Sequence, residues 1–137
     1  MTGKKFVAVL NKKTEVGKVM NALAHATAGL CGKVENADDL GIINYEDGSG
    51  TAHWSSKHPF IILRAKNSNQ IRTFREALIE KGLACASFNE CMTVGGWSEQ
   101  VDRSKATPEE ELEYYGVVSF GDATDLDPLT KKFSLWM

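Results

Sequence analysis

Cysteine and proline are scarce in this chain, with three of each among its 137 residues. The cysteines (Cys31, Cys85 and Cys91) are odd in number and lack paired metal-ligand spacing, which argues against a disulfide framework and predicts buried free thiols. Long apolar runs are also missing, and the stretch at residues 6–10 is far too short for a membrane span or a signal-peptide core. We therefore expect a soluble cytoplasmic protein that makes no membrane contact.

Sequence motifs for common cofactors are absent as well. The chain contains no Gly-x-Gly-x-x-Gly, no Walker sequence and no His-Glu-x-x-His, so we expect neither a cofactor nor a metal site. Its composition is that of an ordinary globular protein, with 42% hydrophobic and 25% charged residues, which argues against disorder. Because this length suffices for one core and no repeat or linker interrupts it, residues 1–137 are predicted to form a single domain.

The net charge of −2 conceals an uneven distribution along the chain. Residues 1–33 contain six lysines against the single acid Glu15, whereas residues 99–127 contain nine acids against Arg103 and Lys105. Such a dipolar chain could present a basic face to phosphates. Alternatively, the two ends neutralise each other within the fold or across a dimer.

Apolar and β-branched stretches predict four strands, at Lys5–Leu10, Phe60–Ala65, Leu83–Phe88 and Gly116–Gly121. Helices are predicted between them. They are expected at Glu15–Leu30 with Thr14 as the N-cap, at Ser68–Lys81 ending before Gly82, and from Thr107-Pro108 onward, with a short turn at Pro128–Lys132. Residues 33–51 are rich in Gly, Asn and Asp and predict an irregular connection with at most a short helix. This order favours an α/β fold, a three-layer α/β/α sandwich around a four-stranded, mixed but mostly parallel sheet.

The first predicted helix has two distinguishable faces. An apolar stripe, expected to face the sheet, consists of Val16, Val19, Met20, Leu23, Thr27 and Leu30. Lys18, Asn21 and His25 fall within about 60° of one another on the opposite side. Their neighbours are the small residues Ala22, Ala28 and Gly29, a pattern typical of a helix that lines a cleft. The alternative is an ordinary half-buried histidine beside a solvent-facing lysine.

This helix resembles the first helix of the type II peptidyl-tRNA hydrolases. Those enzymes have a Met-Gly-x-Gly-Lys turn followed by Val-Ala-Ala-Gln-Cys-Ser-His-Ala; here residues 14–18 are Thr-Glu-Val-Gly-Lys and residues 19–26 are Val-Met-Asn-Ala-Leu-Ala-His-Ala, with the same lysine-to-histidine spacing. Residues 59–66, 69–82 and 118–135 resemble later elements of that family in the same order. The closer resemblance, through Gly-Gly-Trp and the Leu-Thr…Ser-Leu-Trp ending, is to an uncharacterised bacterial family of the same superfamily (domain of unknown function 2000).

The resemblance breaks down at two catalytic positions. Ala22 occupies the position of the hydrolases' helix glutamine, although Asn21 beside it offers an amide. Their Asp-Ala-Gly-x-Thr motif is replaced by Asn-Glu-Cys-Met-Thr at residues 89–93. Aligning Thr93 puts Asn89, which cannot take a proton, at the aspartate position, whereas a shift of one residue would let Glu90 restore a carboxylate.

An insertion at Val94–Tyr115 also separates this chain from the hydrolases. Its acidic charge would oppose tRNA binding, because nucleic-acid affinity depends on neutralising phosphates, or it could act as a lid that narrows the site. Gly95 and Gly96 would suit a hinge or a backbone surface for an anion, or simply a turn. The tryptophans at 54, 97 and 136 are expected to serve packing or dimer contacts.

Two functions from different classes follow from these residues. The first is a hydrolase of a small acyl or aminoacyl ester or amide, in which Lys18 holds an anionic group, His25 orients water or donates a proton, and Glu90 is the base. Substrate-binding residues would be Asn21, Asn89, Thr93, Gly95 and Gly96. The second is a non-catalytic small-ligand-binding domain that has lost the catalytic carboxylate. Peptidyl-tRNA hydrolysis itself ranks last, so tRNA is not an expected partner, whereas a homodimer is expected.

Overall fold

A computed structural model describes residues 3–137, whose main body is a five-stranded mixed sheet in the order β5-β6-β1-β4-β7. Its strands are β1 Lys4–Asn11, β4 Phe60–Ala65, β5 Ala84–Asn89, β6 Tyr114–Asp122 and β7 Ser134–Leu135. A separate antiparallel hairpin consists of β2 Ile42–Glu46 and β3 Ala52–Ser56. The helices are α1 Val16–Lys33, α2 Ser68–Glu80, α3 Trp97–Lys105 and α4 Ala123–Thr130. Between residues 3 and 137, no helix is long and apolar enough to cross a membrane.

Helices cover both faces of the sheet, as the central strand shows most clearly. In β1, Phe6, Ala8 and Leu10 contribute to a core with α1, whereas Val7 and Val9 contribute to a second core with α2 and α4. Side chains of a strand alternate between the two faces, so a strand buried on both sides must be apolar throughout. The alternation of strands and helices in the sequence therefore predicted the α/β class correctly.

The observed strands differ from the predicted ones in three respects. It has five strands rather than four, because β7 pairs with β4 in the register Arg64↔Ser134. The sheet is not mostly parallel: β1–β4 is its one parallel pair, while β1–β6, β5–β6 and β4–β7 are antiparallel. Residues 42–56 form the β2–β3 hairpin, where we expected an irregular connection to residue 51. The short 3-10 turn at Ala37–Leu40 agrees with the short helix allowed there.

The face of α1 that packs on the sheet differs from the predicted apolar stripe. The buried residues are Val19, Ala22, Ala26 and Leu30. The prediction that Val16 and Met20 face the sheet is wrong, since their side chains are 56% and 64% exposed. The two alanines bring the helix close to β5 and β6, a contact that the larger apolar side chains at positions 16 and 20 would not permit. Ala22 is therefore part of the core and not part of a cleft floor.

Helix boundaries are decided by different residues from those expected. Glu15 rather than Thr14 is the N-cap of α1, and it makes no side-chain capping bond. Asn67 caps α2 by accepting a hydrogen bond from the Gln70 N–H (3.0 Å), while Ser68 accepts one from the Tyr114 N–H (2.8 Å) and so joins α2 to β6. The helix predicted from Thr107 is only a 3-10 turn at residues 109–111, because the backbone is extended from Leu112 onward and enters β6 at Tyr114.

One backbone carbonyl of the edge strand β5 is hydrogen-bonded to a lysine. β5 lies at the end of the strand order, so its outer edge has no neighbouring strand among the described residues. The ammonium of Lys33, in the last turn of α1, donates a hydrogen bond to the main-chain carbonyl of Cys85 (3.2 Å). Cys85 itself is buried, and burial raises the pKa of its thiol. Cys91 is also buried and Cys31 is half-buried, and all three thiols are free, as predicted.

The start of β6 is fixed by a buried tyrosine. The Tyr114 hydroxyl donates a hydrogen bond to the Glu109 carboxylate (2.6 Å), which Arg72 Nε also contacts at 3.2 Å. Burial, and next the bond to Glu109, raises the pKa of Tyr114 from 10.0 to about 12. The same bond holds the pKa of Glu109 below its ordinary value.

This arrangement predicts a loss of stability at alkaline pH. The folded chain holds the phenol proton more tightly than the unfolded chain, so the free energy of unfolding should fall by roughly 2 kcal/mol as the pH rises from 10.0 to about 12. Urea titrations of wild type and Tyr114→Phe across that range measure the difference, with Tyr45→Phe, which changes an exposed tyrosine, as the control. Equal pH slopes in all three proteins would contradict the prediction.

Candidate functional site

An open cleft of about 390 Å³ lies between α1, the end of β5 and α3, and we call it the α1 cleft. Its lining residues are Gly17, Lys18, Asn21, His25, Phe88, Met92, Thr93 and Gln100. Four of these, Lys18, Asn21, His25 and Thr93, are residues that the sequence singled out. Whether they bind or act on a ligand stays a prediction.

One wall of the α1 cleft is a row of polar side chains on α1. Lys18, Asn21 and His25 are all exposed and line the cleft, about 90° around the helix from the buried alanines. Gly17 in the first turn adds no side chain, and a Cβ atom there would meet no atom within 4 Å. The positive end of the helix dipole and the Lys18 ammonium therefore act on the same opening.

The His25 ring is held by an aromatic contact. It stacks on Phe88 of β5 with ring centroids 5.2 Å apart and an interplanar angle of 18°. Phe88 is only 6% exposed, so it belongs to the core and offers the imidazole a fixed surface. Stacking restricts the ring while leaving its edge open to the cleft, as a histidine that contacts a ligand requires.

The opposite wall is a 3-10 turn at Glu90–Thr93 together with α3. The Thr93 hydroxyl donates a hydrogen bond to the Glu90 carbonyl (2.7 Å), and the Gln100 amide donates one to the Gly95 carbonyl (3.2 Å). Met92 contributes an apolar surface and contacts Ser104 Oγ at 3.7 Å. The Met92–Ser104 contact connects α3 to the turn, and the Gln100 bond connects α3 to the segment between them, so both hold this wall together.

Glu90 and Asn89 do not line the α1 cleft, contrary to the predicted arrangement. The Glu90 carboxylate forms an ion pair with Arg103 of α3. The Asn89 side chain caps the 3-10 turn by accepting a hydrogen bond from the Cys91 N–H (2.9 Å). Both side chains are thus engaged in starting and anchoring the turn, which leaves no carboxylate among the lining residues.

Gly95 and Gly96 do not line the α1 cleft either. Gly95 has φ +76°, a backbone conformation that side-chain-bearing residues rarely adopt, and a Cβ atom there would displace the Glu99 carboxylate. Gly96 is the N-cap of α3. The two glycines therefore provide the turn that starts α3, which is one of the alternatives considered for them, rather than a surface of the cleft.

The sequence did not indicate Gln100, Met92, Phe88 and Gly17 as lining residues. No helix was predicted at residues 97–105, because Trp97 and Val101 are their only apolar residues. The available indication was charge order, with Glu99 in the first turn and Arg103 and Lys105 in the last. Trp136 packs against the α1 core, which is one of the two roles expected for the tryptophans. Trp54 and Trp97 are 69% and 74% exposed, so a dimer contact is the role left for them, and it stays a prediction.

The uneven charge of the chain is partly neutralised within the fold. Lys4 pairs with Asp122 (3.3 Å) and Lys5 pairs with Asp127, so the first strand meets acids from the other end of the chain. Lysines 12, 13 and 18 form no ion pair with any residue between 3 and 137. Across the same residues, no three His, Cys, Asp or Glu side chains form a group that could hold a metal ion.

Comparisons with other proteins identify the family and the fold of this chain, but they indicate no activity. Residues 4–137 match the model of a family described as "Protein of unknown function (DUF2000)". A solved structure of a protein of unknown function from Agrobacterium tumefaciens strain C58 is similar over 100% of both chains, with a TM-score of 0.83 at 18% sequence identity. At that identity the likeness concerns the fold alone. No curated protein matches the chain.

Proposed function

Since this chain belongs to the DUF2000 family of proteins of unknown function, we propose its function from the α1 cleft itself: the cleft binds a small anionic ligand. One observation carries this proposal. The lining residues include the cation Lys18, the titratable His25 and two amides, but no carboxylate. Such a lining favours a negatively charged group and offers no acidic partner that would compete for Lys18.

The class of ligand follows from the polar and the apolar residues that line the cleft. Lys18 and Asn21 would hold a carboxylate or similar anion, since an ammonium and an amide N–H both donate hydrogen bonds. Phe88 and Met92 would contact an apolar part of the ligand, and Thr93 and Gln100 would fix its orientation. A small acyl or aminoacyl compound with one anionic group fits this combination.

A second candidate is a hydrolase of a small acyl or aminoacyl ester or amide. The observation in its favour is the His25 ring, which is stacked on Phe88 yet open to the cleft. A neutral imidazole held in this way could take a proton from water, provided that the water lies within hydrogen-bond reach. Glu90 could act as the base only after leaving Arg103. Hydrolysis would therefore depend on His25 as the base rather than on a carboxylate.

Kinship with the type II peptidyl-tRNA hydrolases remains part of the proposal. It is supported by the spacing of Lys18 and His25 on α1 and by their common opening onto one cleft. Pairing into a homodimer is also proposed, and the exposed Trp54 on the hairpin gives apolar surface for it. Neither tRNA nor a cofactor has a role in the proposed activity.

Ligand binding can be tested with N-acetylalanine, which combines an acyl group, an amide and a carboxylate. We expect it to raise the melting temperature of the wild type, and we expect Lys18→Gln and His25→Ala each to weaken binding about tenfold or more in calorimetry. Lys105→Gln is the matched control, because it removes an exposed lysine that does not line the cleft. Equal affinity in all four proteins would exclude this site for such ligands.

The p-nitrophenyl ester of N-acetylalanine separates the two candidates. Turnover that disappears in His25→Ala and persists in Lys105→Gln would establish the hydrolase. Binding of N-acetylalanine without turnover of the ester would leave the binding function alone.

A further inference from the structure

A second cleft, of about 300 Å³, lies where β1, β4 and β7 meet, and we call it the strand-end cleft. Its charged lining residues are all cations: Lys12, Arg64, Lys66 and Lys132. Its other lining residues are Ala65, Gln70 and Ser134. No residue lines both this cleft and the α1 cleft, so the two are separate places in the fold.

The sheet topology brings these cations together. β1 and β4 are parallel neighbours, so their carboxyl ends meet at one edge of the sheet. The Lys12 N–H continues the ladder by donating to the Ala65 carbonyl (2.9 Å), and Arg64 lies opposite Ser134 of β7. Beyond the strand, the Lys66 N–H donates to the Gln70 side chain (2.8 Å). Three of the four cations are thus fixed to adjoining backbone positions.

Between residues 3 and 137, these four cations form no ion pair with an acid. The ion pairs formed by residues 3–137 involve Lys4, Lys5, His53, Arg72 and Arg103, and none involves a residue of the strand-end cleft. The chain as a whole has two more acids than bases. A cleft lined by four cations therefore has a local charge opposite in sign to the net charge of the chain. Their mutual repulsion would be relieved by a bound anion.

We propose that the strand-end cleft binds a small ligand that carries at least two linked phosphate groups. Arg64 is half-buried, so its planar guanidinium can hold one phosphate through two parallel hydrogen bonds. Lys12, Lys66 and Lys132 are exposed and lie around it, the Lys132 ammonium 5.3 Å from the centroid of the Phe133 ring, and their point charges suit a second phosphate. A diphosphate satisfies all four cations at once, whereas a single carboxylate does not.

An adjoining space gives room for the organic part of such a ligand. It measures about 230 Å³ and shares Lys12 and Arg64 with the strand-end cleft. Val16 and Trp136 line it and supply apolar and aromatic surface. Phosphate recognition beside an aromatic side chain is the chemistry that binds nucleoside diphosphates. The ligand class is therefore a diphosphate ester with a flat organic group.

Calorimetric titration with inorganic pyrophosphate and with ADP tests the proposal. We expect both to bind the wild type, with ADP the tighter of the two. The double variant Lys66→Gln/Lys132→Gln should lose about tenfold or more in affinity for each. Its matched control is Lys81→Gln/Lys131→Gln, which removes two exposed lysines that do not line the cleft and should change affinity less than about twofold. Since all four substituted lysines are exposed, melting temperatures should stay close to that of the wild type.

Several outcomes would overturn the proposal. One is that pyrophosphate and ADP fail to bind the wild type. Another is that the control pair Lys81→Gln/Lys131→Gln loses as much affinity as the cleft pair, which would mean general attraction to positive charge. Binding of an RNA oligonucleotide without binding of pyrophosphate or ADP would replace a small-ligand site by a nucleic-acid surface. The variants Lys18→Gln and His25→Ala should bind pyrophosphate like the wild type, so failure at the α1 cleft does not affect this result.

Discussion

Replacing Ala22 with glutamine is expected to reduce the free energy of unfolding by about 3 kcal/mol or more, the sum of two separate costs. Ala22 is completely buried between α1 and the sheet, where it permits the close approach of the helix. A glutamine there would add four heavy atoms beyond Cβ, two of them polar, to a packed core, and overpacking typically costs about 1–3 kcal/mol. Its amide would also lose water without gaining a partner, at a further cost of about 1–3 kcal/mol.

Urea denaturation of wild type, Ala22→Gln and Ala24→Gln measures this effect. Ala24→Gln introduces the same side chain into the same helix at an exposed position, so its free energy of unfolding should stay within about 0.5 kcal/mol of the wild-type value. Equal stability of the two variants would mean that α1 is not seated on the sheet as described. The test also addresses the resemblance, since position 22 is where the hydrolases have their glutamine: a side chain placed there points at the sheet and not into the α1 cleft.

Hydrolysis of peptidyl-tRNA by the purified protein is expected to be about four orders of magnitude slower than by a type II enzyme. Loss of a general base and loss of a preorganised donor each typically cost about a hundredfold or more, although such losses seldom add simply. Here Asn89 cannot take a proton, Glu90 is paired with Arg103, and Ala22 is buried. Helix α3 beside the cleft carries two acids, Glu99 and Asp102, but also the bases Arg103 and Lys105, so it adds no net repulsion towards phosphates.

The assay compares wild type, His25→Ala and Glu90→Gln on an N-blocked aminoacyl-tRNA, with a type II enzyme as the positive control. Robust wild-type turnover that either substitution abolishes would reverse the ranking of functions and restore the hydrolases' own reaction. A residual rate unchanged by both substitutions would agree with the expectation, because it would not come from the α1 cleft.

Local patterns in the sequence predicted most of the main elements. The strand at Phe60–Ala65 has the predicted bounds, and β1, β5, β6, α1 and α2 deviate from theirs by a few residues. These elements are strongly apolar or clearly capped, and such features are visible in a short window of sequence. The polar row Lys18, Asn21 and His25 could also be recognised, since helix geometry alone places the three side chains on one face.

Features that depend on contacts between distant residues could not be predicted. The direction of β6 relative to β1, and the pairing of β7 with β4, are decided by where the chain returns to the sheet. The true sheet face of α1 rests on two alanines, which a hydrophobicity pattern ranks below Val16 and Met20. The position of Glu90 was misjudged for a similar reason, because its partner Arg103 lies on a helix that the sequence did not indicate.

The bond from Lys33 to the Cys85 carbonyl also bears on how copies of this protein behave at high concentration. An uncovered edge strand can add the strand of another molecule, which is how domain-swapped and amyloid-like assemblies grow. At β5, an incoming strand would have to displace a charged donor from the carbonyl and would then enclose an ammonium group between two backbones. Among residues 3–137, β5 is the longer of the two outermost strands of the sheet, and this bond from the last turn of α1 opposes edge-to-edge pairing at the Cys85 carbonyl.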